Sequence, residues 1–437
     1  MVFFSHLRQR NWPTVLGYLL FIGMMTMGYY YNVTFIQLGL IDLGERRLGL
    51  SEAAVAAYMA ALALVTCVIA LATGFLLQRR PLLRTLRTRL RLVFAVVLVQ
   101  TALTAMATLV NNQLLFLLWI IVASAALGVG MPVTFSLTVD LIPVRDRGYV
   151  AALITALAYF AAAAIPSDWR IEQFQVQLLL PMLGGALTMA ALAFGRFPFI
   201  DRWSQQQQQP AFAYGRFVKV APGAKTRVSR RLIVLIALMF GIFFIDSLGF
   251  LRIIHTPVLV ESTWRAQELA PHLVIAITHV VAALIAGVLY TALDERHLFL
   301  WIFGIFALVH FMYTFPFRFG SGGQLAPAIL YAIAVSLYTV VNFAIWADIS
   351  TPDTIYRNAA VGVALSGWTA TFISTALATY WRVSGLSVGQ HLRWVNAIAI
   401  LFFLALLSLP FLPSLPRAGD RPRQQDPLRV KMGPEEE

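Results

Sequence analysis

Cysteine is almost absent from this 437-residue chain: Cys67 stands alone, so no disulfide can form within it and no multi-cysteine metal site can be built. Charge is scarce too, at 12% of residues, where soluble domains carry roughly a quarter. The short signatures of several enzyme classes are missing: there is no His-Glu-x-x-His, no Gly-x-Gly-Asp and no phosphate-binding loop. The seven histidines are scattered over separate segments. A soluble core and an enzyme both lose support, and no cofactor, metal or ATP site is assigned.

Apolar sequence is what the chain has in quantity, at 59% hydrophobic residues. A helix needs about twenty apolar residues to cross the hydrocarbon layer, and lipid admits only helices or closed barrels. Twelve such stretches lie near residues 13–38, 53–78, 91–110, 114–139, 149–166, 176–197, 232–254, 272–292, 298–316, 325–346, 359–380 and 395–413. The reading is an all-α, multi-pass membrane protein. Its first span is too long and lacks the cleavage site of a removed signal segment.

The net charge of +13 invites comparison with nucleic-acid binders. With the N-terminus in the cytoplasm, however, 25 of the 33 Lys and Arg fall on that side, as the positive-inside rule requires. The basicity is then topological, both termini are cytoplasmic, and the location is the cytoplasmic (inner) membrane. Lipid is the partner of these charges, nucleic acid is not, and a monomer is expected.

Residues 198–231, with a Gln run at 205–209 and six basic residues from Arg216 onward, read as a plain cytoplasmic tether. It divides a six-helix unit at 1–197 from another at 232–413, with a cytoplasmic tail at 414–437. The halves echo each other: Asp140 with Asp348, Gly74 with Gly287, Trp169 with Trp381 and Gly23 with Gly241, at offsets of 208, 213, 212 and 218. Their shared order points to a duplicated unit.

In this arrangement, and in the turn Asp140-Leu-Ile-Pro143-Val-Arg145-Asp146-Arg147-Gly148, the chain resembles the major facilitator superfamily of secondary transporters. The family's loop after span two, Gly-x-Leu-x-Asp-Arg-x-Gly-Arg, is matched at Gly74, Leu76 and Arg79, but Gln78 stands where an Asp is expected. In the second half Asp294 comes three positions late. Ala161 to Ala164 replace the Gly-Pro motif of the antiporters, so the resemblance implies a divergent member. It also implies two six-helix pseudo-repeats around a central site.

Charges within a bilayer are costly and invite a functional reading. Asp246 is the one acid near the middle of a span, about 22 Å in from Arg231 by helical rise. In a partly apolar cavity it can exchange a proton near neutral pH, and His279 can serve as its relay. The competing reading is a structural carboxyl paired with Arg252. Tyr338 and Asn342 share a face of span ten, and Tyr30 and Asn32 belong to a polar run in span one; with Arg252 these are the candidate substrate contacts. Asp140, Arg145, Arg147, Asp348 and Arg357 form the candidate gate, each Asp meeting an Arg a few residues later. The expectation is proton-coupled transport, with export favoured, of a small lipophilic or weakly polar molecule. The alternative is a membrane assembly or cofactor-delivery factor that keeps the fold without transport.

Overall fold

The computed structural model describes residues 3–164, 169–218, 230–254, 256, 259, 269–319 and 325–408, with no side chains described at 315–319. The tail at 414–437 and residues 219–229 of the central stretch lie outside the described residues. Among the described residues there is no strand, and twelve helices are long and apolar enough to cross a membrane. They are α1 (Trp12–Arg47), α2 (Glu52–Arg79), α3 (Leu86–Leu109), α4 (Gln113–Leu141), α5 (Val144–Ala164) and α6 (Ile171–Phe194). The second six are α7 (Arg230–Ile254), α8 (Leu269–Ala292), α9 (Glu295–Tyr313), α10 (Leu325–Asp348), α11 (Ile355–Val383) and α12 (Val388–Ser408).

Two spans outrun the apolar run that announced them. Helix α1 continues to Arg47 because its last turns pair charges outward: Arg46 meets Asp42 at 2.7 Å, and Arg47 meets Glu172 at 2.9 Å. Helix α12 starts at Val388, where Ser387 Oγ accepts from Gln390 N at 3.3 Å. That serine sits in a Gly-x-Ser-x-Gly run, and its contacts with Gln390 are those of a helix cap. Asp294 also works as a cap, accepting from His297 N at 3.0 Å. Burial pushes the Asp294 carboxyl up, but the backbone N–H and imidazole of His297, with the charge of Arg296, hold it below the usual carboxylate range.

Two seams join the halves, α2 along α11 and α5 along α8. Glycine makes both possible. A side-chain carbon on Gly74 would collide with Ala360, and one on Gly287 would collide with Ala152 and the Gly148 carbonyl. Gly148 and Ala360 lie 212 residues apart and Gly74 and Gly287 lie 213 apart, so the two closest approaches are one contact repeated by the internal duplication.

The described part of the central stretch is not a loose tether. Short helices Pro198–Gln206 and Pro210–Ala213 dock on one face of the molecule, the terminal face, which also carries Phe3–Arg8. Trp203 is buried there and donates its indole N–H to Pro13 O at 2.6 Å, while Gln206 Nε2 meets Thr14 Oγ1 at 2.9 Å. Beyond them the backbone of 215–217 runs beside the end of α10, with Gly215 N donating to Ser350 O and Phe217 N to Asp348 O, both at 2.9 Å. This stretch cannot fold alone; it borrows its apolar contacts from the helices beneath it.

Candidate functional site

A cavity of about 260 Å³ is lined by α1, α2, α4, α5, α7, α8, α10 and α11, with single residues from α9 and α12. Its deep end is lined by Met131, Phe135, Phe343 and Trp368, and it extends to Glu45, Glu52 and Arg382 at the helix ends away from the terminal face. At that end Arg382 forms an ion pair with Glu52. Both helices with π-helical stretches among the described residues line the cavity: α1, at Asn32–Gly39 and Leu43–Arg47, and α11, at Val363–Trp368. Such bulges leave backbone and side chains out of the ordinary register, which is where functional sites often sit.

Asp246 of α7 lines this cavity, and its partners are phenols, not Arg252. Tyr338 donates to Oδ2 at 2.6 Å, and Tyr331, one heptad earlier on α10, donates to Oδ1. The rings are held in turn: Phe243 stands edge-on to Tyr338 at 5.2 Å and Phe306 edge-on to Tyr331 at 5.8 Å. A half-buried carboxylate with two charge-assisted donors is fixed in position without a permanent countercharge.

A second polar chain crosses between the halves. The hydroxyls of Tyr29 (α1) and Tyr159 (α5) lie 2.6 Å apart, and Tyr159 Oη lies 3.4 Å from Thr339 Oγ1 (α10). His279 stacks on Tyr159 at 4.4 Å between ring centroids, nearly parallel, and its Nδ1 lies 2.9 Å from Ser336 Oγ. Asp246 and His279 thus share the cavity, with Tyr338 and Ser336 of α10 as their respective neighbours.

The other candidates separate. Asn32, Arg252, Tyr338 and Asn342 all line the cavity. Asn342 accepts from Trp346 Nε1 at 3.0 Å, and Asn32 Oδ1 is buried without a partner among the described residues. Tyr30 is not in the lining; its neighbour Tyr29 takes that place, since adjacent helical residues point about 100° apart.

The gate pairs differ from the sequence expectation. Asp140 meets neither Arg145 nor Arg147: it takes a bidentate, fully buried pair from Arg89 of α3, at 2.6 and 2.8 Å. Arg145 is exposed, and Arg357 donates to Asn358 at 3.2 Å instead of meeting Asp348. Arg147 reaches across the halves to Asp348 at 3.1 Å, where Tyr290 also donates at 2.9 Å. Proximity in sequence misled because the turn after α4 aims Arg147 at α10 and leaves the end of α4 facing α3. A further bridge, Arg84 to Asp353 at 3.1 Å, links the loop after α2 to the second half although Gln78 lacks the usual charge.

Comparison with known proteins agrees with this architecture. Residues 2–166 match the family model described as Major Facilitator Superfamily. Over those residues, most of the first six helices, the chain is similar to that superfamily. Its fold is similar to that of the xylose transporter XylE from E. coli in a partially occluded inward-open conformation, with a TM-score of 0.63 at 15% identity, covering 91% of this chain and 98% of XylE. A second structure, of the proton:xylose symporter XylE bound to 6-bromo-6-deoxy-D-glucose, gives 0.59 at 12% identity, covering 90% and 95%. The human organic anion transporter MFSD10 gives 0.54 at 15%, covering 90% and 98%. A search of curated proteins returns no match. At these identities the likeness to the solved structures is one of fold.

Proposed function

We propose that this chain is a proton-coupled secondary transporter that moves a small, largely apolar molecule by alternating access, with Asp246 as the proton carrier. The observation that carries the reading is a mid-span carboxylate in a cavity between the halves, anchored by two phenols instead of a cation. An acid so placed can gain or lose a proton without dismantling an ion pair. His279 serves as a neighbouring relay, and Asn32, Asn342 and Arg252 contact the solute.

The units 1–197 and 232–413 rock against each other along the two seams. Arg147 and Asp348 latch the terminal face, which is cytoplasmic in the inner membrane, and the protein works as a monomer. Export is the favoured direction. Purified chain in liposomes carrying an internal pH dye is exposed in turn to a panel of lipophilic and weakly polar solutes under an imposed pH gradient. A solute that moves protons in the wild type, and not in Asp246→Asn, supports the reading. Equal proton movement in Asp246→Asn removes the proton role, and a silent protein that copurifies with a stoichiometric partner favours the assembly factor.

A further inference from the structure

Arg252 is an unspent cation. It lies on α7, six residues beyond Asp246, and lines the same cavity. Its Nε is buried without an acceptor, and no carboxylate pairs with it among the described residues. The other cavity cation, Arg382, is already engaged by Glu52. The guanidinium is only partly covered, but its buried Nε forfeits a hydrogen bond that an anion in the cavity would supply.

We propose that Arg252 is the subsite for the carboxylate of an organic anion whose body is apolar. This rests on the transporter reading above and narrows its solute class. The apolar body fits the aromatic deep end, where Phe135, Phe343 and Trp368 stand, while the carboxylate stays toward the open end with the guanidinium. Planar, bidentate pairing favours a carboxylate over a neutral polar group.

The two α7 charges then couple. Their axial separation is about 9 Å by helical rise. A charged Asp246 competes with the solute for the field of Arg252 and weakens anion binding by on the order of tenfold; a proton on Asp246 lifts that penalty. Other charged or titratable groups line the cavity: Tyr29 and Glu45 on α1, Glu52 on α2, Tyr159 on α5, His279 on α8, Tyr313 on α9, Tyr331 and Tyr338 on α10, Arg382 on α11 and His391 on α12. Glu52 is tied to Arg382, and His391 spends Nε2 on Leu248 O at 2.9 Å. Proton and anion bind together, and the pair moves outward when the solute's own gradient points outward.

The test uses the full chain in phosphatidylcholine nanodiscs, which excludes anionic headgroups as the bound species. Thermal unfolding is followed with alkyl carboxylates from acetate to octanoate and aryl carboxylates from benzoate to phenylbutyrate, each beside its primary amide. The expected result is that at least one carboxylate, and not its amide, raises Tm, that Arg252→Gln loses the preference and that Arg252→Lys keeps part of it. Asp246→Asn keeps the preference and makes it independent of pH. No preference for any carboxylate, or a preference that survives in Arg252→Gln, overturns the subsite. The proton role is judged separately by the liposome experiment, so either idea can fail without the other.

Discussion

At the scale of single residues, the buried ion pairs divide into those that build the fold and those that hold the halves together. Arg89 and Asp140 are both wholly buried, and Arg89 adds bonds to Ser136 O at 3.1 Å and Arg84 O at 3.1 Å. Removing one partner leaves an uncompensated charge, at a cost of about 3–5 kcal/mol, whereas replacing both by apolar groups can be neutral. Asp140→Ala is therefore expected to lower Tm and folded yield sharply, with Arg89→Met plus Asp140→Leu recovering both in a detergent melting assay. A single variant that folds and melts like wild type removes this structural role. Asp246 was legible in the sequence because an acid in mid-span has few bland explanations. Tyr331 was not, since an aromatic residue in a span usually anchors or packs; its spacing of seven from Tyr338 is the signal that places both on one face. Arg89 was hidden among six arginines whose positions the topology already explained.

Among the elements, the central stretch departs most from expectation. Its composition correctly announces a segment without a core of its own, but composition says nothing about what it can lean on. Arg147 Nη2 donates to Phe212 O at 2.7 Å, and Arg216 reaches the carbonyls of Tyr290 and Thr291, so the strap is bonded to both halves. Gly215 runs so close to Asp348 O that no side chain fits between them. Gly215→Val is expected to lift the strap. Limited trypsin digestion should then cut after Arg216 at least several-fold faster than in wild type, and an unchanged cleavage rate would contradict the docking. The span count was readable because apolar length is a composition property. The true ends of α1 and α12 were not, because they rest on ion pairs and caps that form only in three dimensions.

For the whole molecule, the duplication read from four residue matches reappears as two glycine-lined seams, and the cavity lies between them. The terminal face is latched by Arg147 with Asp348 and by Arg84 with Asp353, while the cavity extends toward the opposite face. A two-state transporter needs both arrangements to be reachable, so latches of this kind set the balance between them. Alternating access requires that Asp246 meet water in a cavity that opens to each side in turn. The direct measurement is reaction of Asp246→Cys, in a Cys67→Ser background, with a membrane-impermeant methanethiosulfonate applied to one side at a time. Rapid labelling from the side opposite the terminal face, with labelling from the terminal face appearing once Asp348→Asn loosens the latch, is the predicted result. Absence of labelling from either side, while a control cysteine at an exposed helix end reacts, would contradict it.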